Sequence, residues 1–322
     1  MTTKYFDQSI KAKATRDAFG EGLEQVGSKN SKVVALDADL SKSTKTEIFA
    51  KKFPERFFNV GIAEANMVGV AAGLARAGYV PFAASFACFV TGRFDQIRMS
   101  VSFSGAPVKI VGTHAGVGIG EDGHSQMGLE DLGMMRALPE MVVFQPADEL
   151  DTKRFVEWTT GDSRAAYLRL TRQKCPAIAS NLKSKTLEEG KWEVLDKLSA
   201  GAIVILATGG AFEPAAGAAE ALKAKGHTVC LVNAHWIQPL DEDFLREVVL
   251  AKAKLIVSVE DHYIKTGLGG AVAETLSQWA GNPPLLRLGV EDFGQSAPPE
   301  DNMKHYGLTP VSLASRIETA IK

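Results

Sequence analysis

The sequence predicts an α/β protein of two domains, each a mostly parallel sheet with helices on both faces. Three observations carry this expectation. Short, near-continuous apolar runs alternate with segments of helical periodicity. The alternation breaks once, near residue 180, and then resumes. The composition, 45% hydrophobic and 23% charged, is that of a chain with enough apolar material to bury two cores.

Strands are expected at 32–36, 56–60, 79–84, 108–113, 141–145 and 165–169. Between them the spacing predicts helices. Over 63–77, Met67, Val70, Ala71 and Leu74 fall on one face, and Gly78 ends the helix. Over 92–104, Phe94, Ile97, Val101 and Ser104 recur at helical spacing, and a further helix is expected at 148–160. Residues 1–180 are thus read as one domain and 181–198 as a polar linker, with room for one hairpin. The second domain, 199–322, alternates again. Its strands are expected at 202–207, 227–233 and 255–260, and its helices at 211–225, 241–251 and, as the final one, 267–280. A last short strand follows Pro283 and Pro284.

Bulk properties exclude several classes. The formal net charge is −2 and no Lys/Arg-rich run stands out, so no nucleic-acid partner is expected. No apolar stretch approaches the ~20 residues that span a bilayer, so no membrane span is expected. The polar N-terminus, 1–13, lacks the apolar core of a signal peptide. Cys88, Cys175 and Cys230 are far apart and form no CxxC pair. They read as small buried hydrophobes in a reducing compartment, and a cytoplasmic location is expected.

Four segments could carry chemistry. In Asn59-Val60-Gly61-Ile62-Ala63-Glu64 a strand ends, a glycine turns the chain, and a carboxylate opens a helix; taken alone, Glu64 also suits a solvated helix start. Ser85-Phe86-Ala87-Cys88-Phe89 sets two aromatics three apart, a spacing that serves core packing or stacking on a flat ligand. The loop from Thr113 to Gln126 holds four glycines, His114, His124, Glu121 and Asp122, a site-like density of polar groups on an otherwise mobile-looking turn. Its glycines lack the dinucleotide-binding spacing. Arg172 follows the strand at 165–169, where open α/β sheets bind ligands, and could fork onto an anion or pair at the surface.

The order of these segments is informative. FFNVGIAEANMVGVAAGLA, PFAASFACF, THAGVGIGEDGHSQ and LRLTRQ together resemble the pyrimidine-binding domain of transketolases, and the downstream half resembles the transketolase C-terminal domain. The GDG-to-Asn metal motif of the family's diphosphate-binding domain is not found in the sequence. The resemblance therefore implies a split, thiamine-diphosphate-dependent transketolase whose N-terminal partner chain holds the diphosphate and Mg2+, with no metal ligand in this chain. An α2β2 assembly is expected, with ketol transfer from a ketose phosphate to an aldose.

The resemblance also assigns roles. Glu64 matches the glutamate that hydrogen-bonds the cofactor's aminopyrimidine, and Phe86 and Phe89 match aromatics around that ring. Gly92 stands where the family often has a third aromatic. Asp39 and Leu40 match residues lining the cofactor pocket. Arg16, Ser43, His114 and Arg172 match a set holding a sugar's terminal phosphate, and Asp122 a contact to a substrate hydroxyl. His124 is read as the catalytic histidine of a loop one residue shorter than the family's DG-x-x-HQ. The alternatives are the β subunit of a 2-oxo-acid dehydrogenase, a deoxyxylulose-phosphate synthase, and a non-catalytic binding module. The phosphate-type residue set argues against the first, the retained Glu64 against the last. His235, His262 and His305 are assigned no chemistry.

Overall fold

The computed structural model describes residues 4–184 and 186–322. The polar N-terminal stretch and the 181–198 segment each include positions outside these. The strands are β1 (Lys13–Ala14), β2 (Val33–Asp37), β3 (Phe57–Asn59), β4 (Val80–Phe86), β5 (Lys109–Thr113), β6 (Val142–Phe144), β7 (Ala166–Arg169), β8 (Lys174–Cys175), β9 (Glu193–Val194), β10 (Ile203–Ala207), β11 (Val229–Asn233), β12 (Trp236–Gln238), β13 (Leu255–Tyr263) and β14 (Leu285–Val290).

The first sheet has the order β12-β6-β7-β5-β4-β2-β3, and every pair except β12–β6 is parallel. β2 and β5 are buried at every position without alternation because helices cover both sides of the sheet. The connection leaving β2 runs to β3 on one side and the one leaving β4 runs to β5 on the other. The crevice between β2 and β4 is therefore a topological switch point, where such sheets bind ligands beyond their carboxyl ends.

The second sheet has the order β14-β13-β10-β11-β9, parallel except for β9. Strand alternation divides β10 between two cores. Ile203, Ile205 and Ala207 pack with the helices Phe212–Ala224 and Pro310–Ala320. Val204 and Leu206 belong to a cluster continuous with the first domain's core. Trp236 of β12 is fully buried and crosses to the first domain, 5.0 Å edge-on to both Phe144 and Trp158.

Several elements differ from the sequence expectation. The helix expected at 92–104 is two pieces, one turn at Phe94–Ile97 and a π-helix at Arg98–Phe103, and a separate short helix at Ala87–Thr91 comes before them. Gly92 lies between that short helix and the turn and gives the least intrinsic helical support of any residue but proline. The helix at 267–280 is not the last: Pro299–His305 and Pro310–Ala320 follow. Each opens on a proline, which breaks a helix interior but suits its first turn. The helix Thr15–Lys29 holds Gly20, Gly22 and Gly27, which weaken its helical signature. Gly20 and Gly27 permit close approach: a Cβ on Gly27 would collide with the Phe49 ring. β9, inside 181–198, joins the edge of the second sheet. No helix among the described residues is long and apolar enough to cross a membrane.

Two buried ionic clusters tie the halves together. Arg169, at the end of β7, donates to Asp131 at 2.9 Å and to Asp261 of β13 at 2.8 Å, with all three side chains fully buried. Lys183 Nζ lies 3.2 Å from Asp148 and 3.2 Å from Glu193 and also pairs with Asp151. His235 stands beside Asp151 in the same pocket. Burial keeps the His235 imidazole neutral, its pKa pushed down to about 4.

Candidate functional site

The parallel strands of the first sheet deliver their carboxyl ends to one edge, and nearly every sequence-predicted site residue follows such an end. Asp39 and Leu40 follow β2, Glu64 follows β3, Phe86 ends β4, His114 follows β5 and Arg172 follows β7. The chain folds this way because each apolar strand must be buried, while the turn after it can carry polar groups.

Glu64 is the first residue of the helix Glu64–Arg76 and is 6% exposed. Its Oε1 accepts a hydrogen bond from Ser85 Oγ at 3.1 Å, and Oε2 is not part of that bond. Across the switch point Asp39 takes a positive φ of 65°, held by reciprocal bonds with Asn59: its N–H donates to Oδ1 at 3.1 Å and its Oδ1 accepts from Nδ2 at 3.2 Å. Leu40 N–H donates to Asp37 Oδ1 at 2.5 Å, so the buried Asp37 shapes the turn that presents both residues. Burial raises the Asp37 carboxyl above its usual range.

The aromatic pair forms a continuous stack. Phe86 and Phe89 are nearly parallel, 9° between planes, with centroids 5.4 Å apart. His114 also stacks on Phe86, at 3.8 Å. A Cβ at Gly92 would sit 2.8 Å from the Cys88 carbonyl oxygen. No side chain larger than hydrogen fits that backbone without a shift.

His114 links the stack to the basic residues. Arg16 Nη1 donates to His114 Nε2 at 2.7 Å and to the Ser43 carbonyl at 3.1 Å. Arginine cannot accept, so Nε2 is the acceptor and the proton sits on Nδ1. Nδ1–H then donates to Thr113 Oγ1 at 2.9 Å, which donates to the Ser85 carbonyl at 3.3 Å. Burial, reinforced by the Arg16, Arg172 and Lys45 charges, pushes the His114 pKa down to about 3. A neutral imidazole is therefore the form held between the two arginines. Burial also lowers the pKa of Arg16. Ser43 enters this arrangement through its backbone rather than its hydroxyl.

Arg172 Nη1 donates to the Ile119 carbonyl at 2.9 Å and lies 3.5 Å from Asp122. It thereby braces the loop that follows His114. Gly116 in that loop has φ +81°, and a Cβ there would collide with Asp261 Oδ2, so only glycine fits. His124 is placed apart from the His114 group: its ring packs at 4.2 Å against Phe293 of the second domain, and its Nδ1 is buried without a hydrogen bond.

Sequence reasoning gave Ser85 and Thr113 no role. Ser85 had a signal: it is a polar position in the otherwise apolar strand VPFAASF, and a fully buried hydroxyl needs a partner. The cluster of Asp151, Glu193 and His235 has metal-ligating residue types, but the Lys183 ammonium already sits among its carboxylates.

Fold and site together define a two-domain α/β chain with a polar, aromatic-lined edge on its first sheet. The chain belongs to the transketolase family. Residues 11–177 match the transketolase pyrimidine binding domain and residues 190–313 the transketolase C-terminal domain. A protein of Methanocaldococcus jannaschii named "Putative transketolase C-terminal section" is 43% identical over 96% of this chain and 97% of its own length. Human transketolase is 35% identical over 96% of this chain but only 49% of its own length, so the chain spans about half of that relative. Among solved structures, a split gene transketolase in an inactive beta4 tetramer superposes with a TM-score of 0.85 at 40% identity, covering 96% of this chain and 98% of that one. The transketolase of Campylobacter jejuni, 23% identical over 98% of this chain and 48% of its own, shares the fold with a TM-score of 0.79. Over nearly its whole length the chain thus resembles the C-terminal section of a split transketolase.

Proposed function

We propose that this chain is the cofactor-activating subunit of a split transketolase, working with an N-terminal partner chain that holds the diphosphate of thiamine diphosphate and its Mg2+. The observation that carries the reading is the buried Glu64, oriented by Ser85 at the switch point, on the same sheet edge as the Phe86–Phe89 stack. A flat aminopyrimidine fits this set, since the half-buried Phe89 ring offers a face and Glu64 a hydrogen-bond acceptor. Asp39 and Leu40 border the same crevice across the switch point.

When bound, thiamine diphosphate supplies the nucleophilic carbon that carries a two-carbon ketol unit from a ketose phosphate to an aldose. Glu64 would hold a proton at a ring nitrogen through its carboxylate, a role that needs the shielding its burial provides. Arg16 and Arg172 would bind the sugar's phosphate, with His114 neutral between them so that it adds no third positive charge there. Ser43 borders this cradle, Asp122 beside Arg172 would accept from a sugar hydroxyl, and His124 would serve as a further proton-handling group on the same loop. An α2β2 assembly with sites at subunit contacts, in the cytoplasm, completes the reading. The relatives reported above are transketolases, which does not favour the 2-oxo-acid dehydrogenase or deoxyxylulose-phosphate synthase alternatives.

The test is to capture the chain's partner from its native extract, reconstitute the pair, and assay mixed ketose phosphates and aldoses with and without thiamine diphosphate. Cofactor-dependent ketol transfer is expected from the pair. Glu64→Gln should lower kcat ~10²–10⁴-fold with an unchanged melting temperature. Near-normal kcat in that variant would remove the role given to Glu64, and a captured chain without cofactor dependence would sink the reading as a whole.

A further inference from the structure

The second domain holds none of the residues assigned to chemistry, yet one face of it grips the loop that carries Asp122 and His124. Asn302, on the short helix Pro299–His305, is 1% exposed. Its Nδ2 group donates across the domain boundary to the Val117 carbonyl at 3.4 Å, and within its own domain to the carbonyls of Gln295 at 3.1 Å and Ala297 at 3.3 Å. Val117 and Ile119 are the ends of one 3-10 turn. The Ile119 carbonyl is taken by Arg172 from the first domain. The same turn is therefore held by both domains, by Arg172 from the first and by Asn302 from the second.

The segment Asn302 fastens, 291–298, also touches the loop directly. Ser296 Oγ donates to the Glu121 carbonyl at 2.5 Å. Tyr306 Oη donates to the Phe293 carbonyl at 2.9 Å, and the Phe293 ring packs against His124. Gly120, at φ +88°, passes so near Pro299 that a Cβ would meet its ring at 2.9 Å. Contacts of this kind fix the path of the loop from Gly116 to Gln126 more narrowly than the first domain does alone. The turn at Val117–Ile119 has no other side-chain donor to its carbonyls among the hydrogen bonds of the described residues.

We propose that Asn302 is a positioning residue for substrate recognition: by anchoring the Val117–Ile119 turn it keeps Arg172 and Asp122 in register with Arg16 for binding a sugar phosphate. The substrate arm of this inference rests on the function proposed above; the anchoring itself does not. Arg172 spends one guanidinium nitrogen on the Ile119 carbonyl, so its direction follows the turn. A turn that drifts takes Arg172 with it, whereas Glu64, Phe86 and Phe89 belong to other strand ends and stay in place.

Two variants test this, Asn302→Ala and Asn302→Asp. The second keeps the shape but replaces the donor with an acceptor facing three carbonyls. Amide hydrogen exchange is measured first on the chain alone. Exchange at Gly118–Gly120 should quicken about tenfold, the loss of one hydrogen bond's worth of protection, while β4 and β5 exchange as in the parent. Unchanged exchange in the loop would overturn the anchor whether or not the chain is a transketolase subunit. In the reconstituted enzyme, KM for a phosphorylated ketose should rise about tenfold. KM for an unphosphorylated ketose, and the dissociation constant of thiamine diphosphate, should move less than twofold. An equal rise for both ketoses would show a merely structural effect and overturn the positioning role. A parent enzyme inactive on every ketose phosphate would overturn the proposed function and the substrate arm with it, and the exchange measurement alone would then decide the anchor.

Discussion

Replacing Lys183 by methionine keeps the stem of the side chain and deletes its charge. Its ammonium is the only cation in contact with both Asp148 and Asp151 among the described residues, and it also reaches Glu193. All these side chains are buried, so water cannot take over. Breaking a buried pair by removing one partner costs about 3–5 kcal/mol. Some of that is recoverable, because burial beside Asp151 already raises the Glu193 carboxyl, and it can take up a proton. For 322 residues the unfolding entropy near 60 °C is roughly 0.7 kcal/mol/K, so about 4 kcal/mol corresponds to a fall in Tm of about 6 °C. Calorimetry at pH 7.5 and at pH 5.5 reads both effects. The fall should be larger at the higher pH, where the orphaned carboxylates must stay charged. Lys51→Ala, which breaks the exposed pair with Glu47, is the control and should leave Tm unchanged. A Lys183→Met chain melting within 1 °C of its parent at both pH values would refute the reasoning, since the cluster would then contribute nothing as an ion network.

Two further outcomes follow from the site. Arg172→Ala should raise KM for phosphorylated sugars at least tenfold more than for unphosphorylated ones in the reconstituted enzyme, and equal effects on both would remove the phosphate assignment. The His114 pKa of about 3 lies below the ~6.5 of an unfolded histidine, so the unfolded chain binds the extra proton between those values. Stability from this group is therefore full above pH 6.5 and lost as pH falls toward 3, with about 2 kcal/mol gone between pH 7 and pH 5. Urea titrations of His114→Asn should show a correspondingly shallower pH dependence over that window, and a slope equal to the parent's would mean that the imidazole is not held neutral.

The parts of the molecule legible in the sequence are those whose physics is local. Buried parallel strands are apolar in runs, and β10 along its length and β2, β5 and β11 over their interior residues read that way from the sequence alone. The carboxyl-end turns carry their polar residues in clusters, which is why Glu64, His114 and Arg172 are legible in the sequence. Elements whose helical signal is diluted for the sake of packing were missed. The Thr15–Lys29 helix spends Gly20 and Gly27 on close approach, and the last two helices open on prolines that resemble breaks. Long-range polar partnerships left no trace. Nothing near Lys183 in sequence announces Asp148 and Asp151, and nothing near Val117 announces Asn302, 185 residues away. The position of His124 is another such case, since its neighbour Phe293 comes from the far half of the chain.

The alternation along β10 sets a rule for where this chain can be divided. Val204 and Leu206 belong to the first half's core, and Trp236 closes the edge of the first sheet. A break in the polar stretch at 181–198, the most inviting cut by composition, would uncover that shared apolar face on both fragments and split the Lys183 cluster. The two halves share one core, so a gene fission at this stretch can leave them functional only if the fragments re-associate and close that face again.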